Sequence, residues 1–278
     1  MASSLLTYET LIHAVAGATG SVIGMTAFYP LDTVRSRQQV EDSNKLQGPA
    51  WEILVKIAKE EGFDSLYRGL CPVLQSLSIS NFVYFYTFHA LKKSSSNSSA
   101  LSDLLFGIIA GSINVVITSP LWVVNTRMKL AKNDYKSLFS GLMEVFDKEG
   151  VKGLWSGTVP SLLLVSNPAI QFMVYESLKR NLMAMKRFNT YSAFLSGAIA
   201  KAIATTLTYP IQLIQSRLRA GTSLKPLYKD VKSNPVILFR GLEAKIMQTV
   251  LTAALMFLIY EKIVRFVLTI MRVKVSRQ

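Results

Sequence analysis

Apolar residues gather into six stretches separated by short polar or basic segments. Uncharged runs extend from Leu70 to Leu91, Leu104 to Thr126 and Thr158 to Tyr175. Thr10 to Leu31, Tyr191 to Gln215 (interrupted by Lys201) and Ile246 to Tyr260 are nearly as clean. A helix needs roughly 20 apolar residues to cross a bilayer, so the pattern predicts an all-α membrane protein of six transmembrane helices, with membrane lipid as its first partner. An even number of spans places both termini on one side.

The pattern also repeats. Pro30, Pro120 and Pro210 stand 90 residues apart, each deep in an apolar helical stretch, and Gly17, Gly107 and Gly197 precede them by 13 residues. Each unit then carries an aromatic-x-Gly triplet: Tyr67-Arg68-Gly69, Trp155-Ser156-Gly157 and Phe239-Arg240-Gly241. The chain therefore reads as one domain of three repeats, approximately residues 8–92, 100–183 and 190–268. A proline inside a helix removes a backbone donor and crowds the preceding turn, so the odd-numbered helices are expected to bend or break at all three. Small residues four apart, Gly17 with Ser21 and Gly107 with Gly111, predict close helix approach, while the third copy pairs Gly197 with Lys201. Between spans, Pro49 to Glu61 sets Trp51, Leu54, Val55 and Ala58 at helical spacing, and Leu138 to Glu149 follows suit, which predicts amphipathic surface helices ended by Gly62 and Gly150. Gly221 to Leu238 is shorter and holds Pro226 and Pro235; no full surface helix is expected there, and it should be the least ordered segment.

Charge narrows the functional classes. The net charge of +14 is scattered over short loops with no concentrated stripe, which argues against nucleic acid and favours anions entering any wet cavity. A single Cys71 excludes an internal disulfide framework, and no cleaved signal precedes the first span. Asn97-Ser98-Ser99 falls in a serine-rich loop. With two histidines, His13 and His89, and no phosphate loop or metal-ligand spacing, no catalytic or metal site is expected, and no prosthetic cofactor.

Pro30-Leu31-Asp32-Thr33-Val34-Arg35, followed by Glu61-Gly62 and then Tyr67-Arg68-Gly69, resembles the signature of the mitochondrial carrier family, and the resemblance covers nearly the whole chain. It implies three repeats whose six helices tilt around a central cavity that opens alternately to either side. The strings Asn81-Phe82-Val83-Tyr84-Phe85-Tyr86, Pro120 to Arg127, Asn167 to Phe172 and Gly241 to Lys245 look most like the peroxisomal branch of that family. That likeness implies a monomeric, multi-pass peroxisomal membrane carrier with cytosolic termini, delivered by a peroxin import receptor. Its solutes would be coenzyme A, FAD, NAD and AMP, moved by exchange. Two other readings stay open: a mitochondrial inner-membrane carrier of another small anion, and a carrier-like protein that no longer transports because its third repeat is short.

The resemblance also distributes roles. The family pairs acids and bases of the three signatures to close the lumenal side, but here Asp32 and Arg35 are followed by Trp122 and Asn125, then Gln212 and Gln215. The expected contacts become Arg35 with Trp122, Asn125 with Gln212, and Asp32 with Gln215. At the far ends of the even helices, Glu176 with Lys179 fits the family fully. Glu261 keeps the acid with Val264 in the basic slot, and His89 replaces the acid before Lys92. Pairs Lys92–Glu176 and Lys179–Glu261 are then expected, and with them a resting state closed at those ends. Spacing from the triplets and acid slots puts the family's solute contacts at Ser76, Leu163 or Leu164, and Gln248. Lys245 lies on the Gln248 face and Lys201 sits within a span, so both are candidates to meet a phosphate. Asn81 and Asn167 are candidates to read a purine or ribose, or to bridge helices.

Overall fold

The computed structural model describes residues 19–40, 46, 48–94, 100–130, 137–185 and 189–270, which form helices and connecting turns with no strand among them. Helical residues 19–27 (α1) lead into α2 (Tyr29–Val40), α3 (Ala50–Glu61) and α4 (Leu70–Ser94). The middle of the chain forms α5 (Ala100–Lys129), α6 (Leu138–Leu154), α7 (Thr158–Leu164) and α8 (Asn167–Ala184). The last part forms α9 (Thr190–Arg219), α10 (Leu224–Ser233) and α11 (Leu242–Ile270). One order of elements thus occurs three times: long helix, surface helix, second long helix. His13 and Gly17 lie outside the described residues.

The most apolar helix does not hide its apolar residues. Within Ser102–Lys129 the best window has mean hydropathy 1.9, yet only 17% of it is buried. Among the described helices it is the one that meets a span's length and hydropathy by itself; α6 with α7 and α8 pass together across a bend of 54°. Phe82, Tyr86, Phe172, Met173, Leu207 and Leu258 of the other long helices also point outward. So much outward apolar surface suits lipid as the surrounding solvent.

At the prolines the expected breaks occur once. The helix is interrupted at Phe28, just before Pro30, whereas α5 and α9 run on through Pro120 and Pro210. Pro120 cannot donate to the carbonyl of Val116, and the indole Nε1 of Trp155 donates to that oxygen instead, at 2.9 Å. The first and third repeats solve the same junction with a tyrosine. Tyr29 and Tyr209 donate to the carbonyls of Arg68 (3.1 Å) and Arg240 (2.9 Å), with rings stacked against Tyr67 and Phe239. The triplet aromatics therefore fasten each second long helix to the first at its proline.

The glycine ending each triplet has φ near +80°, and each faces the odd helix of another repeat. A Cβ at Gly69 would lie 3.5 Å from that of Met128, one at Gly157 3.1 Å from the Gln215 oxygen, and one at Gly241 3.4 Å from the Arg35 oxygen. First repeat meets second, second meets third, third meets first, so the proline ends form a closed ring. The first and last repeats also touch along α1, where a Cβ at Gly20 or Gly24 would lie 3.1 Å from the oxygens of Met256 and Thr252. Gly111 makes the close approach expected of it, against Val165, but a Cβ at Gly197 would meet nothing within 4 Å.

The surface helices carry two corrections. In α3 the inward face is Ala50, Ile53 and Ile57, packed with Leu31, Val34, Leu66 and Ala244; Leu54 and Ala58 flank it, while Trp51 turns outward, 65% exposed. The apolar stripe read from sequence is thus rotated: Ala50, Ile53 and Ile57 pack inward and Trp51 does not. In the third repeat α10 does form, with Leu227 buried as its anchor. Pro226 falls in the first turn, where no intrahelical donor is required, and Ser223 accepts from the Lys225 amide at 3.3 Å. Asn234 then caps the next turn, starting at Pro235, by accepting from Val236 at 3.1 Å.

Candidate functional site

Two cavities flank α8. The larger, about 590 Å³, runs from Tyr84, Phe88 and Asp103 down to Trp122, Ser161, Gln215 and Arg219 at the proline end. The smaller, about 390 Å³, lies among α8, α9 and α11 and is lined by Gln171, Lys201, Thr205 and Thr249. Leu164 lines the larger cavity, whereas Leu163 is exposed and does not. Ser76 and Gln248 are buried, each with a side-chain oxygen that has no partner among the described residues. Asn81 is exposed. Asn167 donates to the Thr208 hydroxyl at 2.7 Å, so it bridges α8 and α9.

The proline end is drawn together, and its contacts differ from those expected. Arg35 turns back to Asp32 of its own helix at 2.8 Å. Asn125 is buried with neither amide atom bonded. Gln212 donates to Thr208 of its own helix at 3.1 Å, and Gln215 donates to Ser161 at 2.8 Å. None of the three expected pairs is therefore made. The partners instead are two cations beyond the signature: Lys129 bonds Asp32, and the Arg219 guanidinium lies 6.0 Å from the Trp122 ring centre. Both escaped the sequence reading, although the 90-residue ruler aligns them with each other and with Gln39. Lys245 shares this neighbourhood with Asp32, Arg35, Lys129 and Lys201. The proline end accordingly holds a cationic cluster around the Asp32 carboxylate, from which Arg219 lines the larger cavity, while Lys201 lines the smaller.

A second set of arginines ties helix ends to surface helices. Arg37 makes a two-pronged bond with Glu61, and Arg127 does the same with Glu149 at 2.5 and 2.8 Å. These bonds hold both glutamates below the usual carboxylate range against the opposing effect of partial burial. Arg217, at the matching position of the third repeat, donates to the Gln39 carbonyl at 2.8 Å.

At the even-helix end the expected Lys92–Glu176 pair is not made, and the Glu261 side chain needed for the Lys179–Glu261 pair lies outside the described residues. Lys92 pairs with Asp103 at 2.9 Å, Glu176 pairs with Lys179 of its own helix at 3.4 Å, and His89 is exposed. At the proline end, by contrast, the described contacts cross between all three repeats. Buried cations beyond the signature supply what the missing signature charges do not.

The family model for mitochondrial carrier protein matches residues 7–99, 96–186 and 186–270. Peroxisomal membrane protein PMP34 of Mus musculus is 48% identical, over 98% of this chain and 98% of that protein. The peroxisomal nicotinamide adenine dinucleotide carrier of Arabidopsis thaliana is 32% identical over 92% of this chain and 96% of its own length. Peroxisomal adenine nucleotide carrier 1 of Glycine max is 31% identical over 92% and 91%.

Proposed function

Because the chain belongs to the mitochondrial carrier family, we propose that it exchanges phosphate-bearing nucleotide cofactors across the peroxisomal membrane by alternating access. Coenzyme A, FAD, NAD and AMP are the solutes, and the carrier acts as a monomer with cytosolic termini after delivery by a peroxin import receptor. The observation that supports this reading is the cationic cluster at the proline end: Arg35, Lys129 and Lys245 gather around Asp32, while Arg219 lines the larger cavity and Lys201 the smaller. Such a site attracts polyanions and rejects cations. Leu164 and Trp122 add apolar and aromatic walls against which a flat purine can lie. The printed names of the peroxisomal relatives point to NAD and adenine nucleotides as solutes of those proteins.

Purified protein in liposomes preloaded with AMP should take up radiolabelled coenzyme A, NAD or AMP. Each of Lys201→Ala and Lys245→Ala should lower uptake about tenfold or more, the loss expected for one charge-assisted bond to phosphate. Absence of uptake for every nucleotide tested, in protein that melts cooperatively, overturns the proposal. Organelle fractionation that places the protein in mitochondria overturns the peroxisomal assignment.

A further inference from the structure

Resting on the alternating-access reading above, we propose that the proline-end gate is locked by residues nine positions beyond each proline, with Lys129 and Arg219 replacing bases that the family signature places five beyond. The contacts run one way round the ring. Lys129 of the second repeat bonds Asp32 of the first and lies 5.1 Å from the Tyr29 ring centre. Arg219 of the third lies 6.0 Å from the Trp122 ring centre and donates to Ser161, both of the second, at 3.1 Å for the hydroxyl. Gln39 of the first accepts from Ser216 of the third at 2.7 Å. Each residue reaches into the repeat that precedes it around the ring.

The signature's own basic positions do less. Arg35 pairs within its helix, and Asn125 makes no side-chain bond. Gln215 joins Arg219 at the Ser161 hydroxyl. Four residues further along a helix is about 6 Å along its axis, so these cations are anchored roughly one turn beyond the signature bases and reach back to the signature positions Asp32 and Trp122. Lys129 and Asp32 are both buried, so removal of Asp32 leaves the lysine without its acid, and removal of Lys129 leaves Asp32 with Arg35 of its own helix as its charged partner. At the seam between third and first repeats the nine-beyond position is neutral Gln39, and the charged contact there comes instead from Arg217, which donates to the Gln39 carbonyl at 2.8 Å. A phosphate reaching the proline end competes with Asp32 for Lys129, which links arrival of a polyanion to release of the lock.

Asn125→Cys in a Cys71→Ser background provides a reporter, because the Asn125 side chain is buried and gives up no bond when replaced. The rate of its labelling by N-ethylmaleimide in purified, detergent-solubilised protein reads opening of the proline end. Lys129→Gln and Arg219→Gln should each raise that rate about tenfold, as expected for losing one charge-assisted contact. Lys129→Arg should keep labelling slow, and so should Gln212→Ala, whose amide bonds only its own helix. Parent rates in both glutamine variants, or equal acceleration by Gln212→Ala, overturn the proposal. If Lys129→Gln loses its cooperative melt, Lys129→Arg decides: fast labelling in a protein that still melts cooperatively also overturns it. Labelling needs no solute, so a carrier of some other anion, or of none, still reports the gate.

Discussion

The junction at Pro120 shows how single side chains settle a backbone problem created by the sequence. Trp155 supplies the donor that Pro120 lacks, so Trp155→Phe should lower stability by about 1 kcal/mol, read as a lower thermal midpoint in detergent. In a Pro120→Ala background the helix can again satisfy the Val116 carbonyl itself, and the same tryptophan change should cost less. The glutamates of the surface helices set an acid limit. A carboxylate whose pKa is depressed on folding contributes stability above its unfolded range and loses it as pH falls through the folded value. Glu61 and Glu149 are both depressed, by Arg37 and Arg127 first of all. Thermal midpoints should therefore fall on acidification below about pH 4, and Glu61→Gln with Glu149→Gln should flatten that fall. These residues were only partly legible in the sequence. Asp32, Arg35 and Trp122 stand in a motif, whereas Lys129 and Arg219 carry no local signature and emerge only when the three repeats are aligned as a ring.

Among the helices, periodicity served best in the long apolar runs, and failed where apolar residues fall on more than one face. The long helices follow directly from their apolar runs, but α3 carries apolar residues on more than one face, Ile53 and Ile57 inward and Trp51 outward, so its stripe alone did not reveal which side packs inward. Proline content misled in α10 for a different reason: a proline in the first turn interrupts no hydrogen bond. Leu227 is that helix's buried anchor, and Leu227→Ala should cost about 2–5 kcal/mol of local stability. Hydrogen exchange should show slow amides across Leu224–Ser233 in the parent and fast ones in the variant. Equal exchange in both would mean that something other than Leu227 holds the helix down.

The whole molecule is a ring whose opening the sequence could not rank, because the charges at the even-helix end suggested that this end would be shut. What the reading lacked was the alternative partner: Asp103 takes Lys92, and Lys179 folds back on Glu176. Asp103→Asn should free Lys92 for Glu176 and shift the population toward closure at that end, measured as faster maleimide labelling of the Asn125→Cys reporter. The ring also imposes an order on biosynthesis. Gly241, at the head of α11, meets Arg35 and Gln38 of α2, and Ala244 completes the apolar cluster of the first repeat. Helix α2 therefore leaves the ribosome some two hundred residues before the segment that finishes its core. A nascent chain halted before α11 lacks Ala244 from that cluster and leaves the ring of proline ends unclosed.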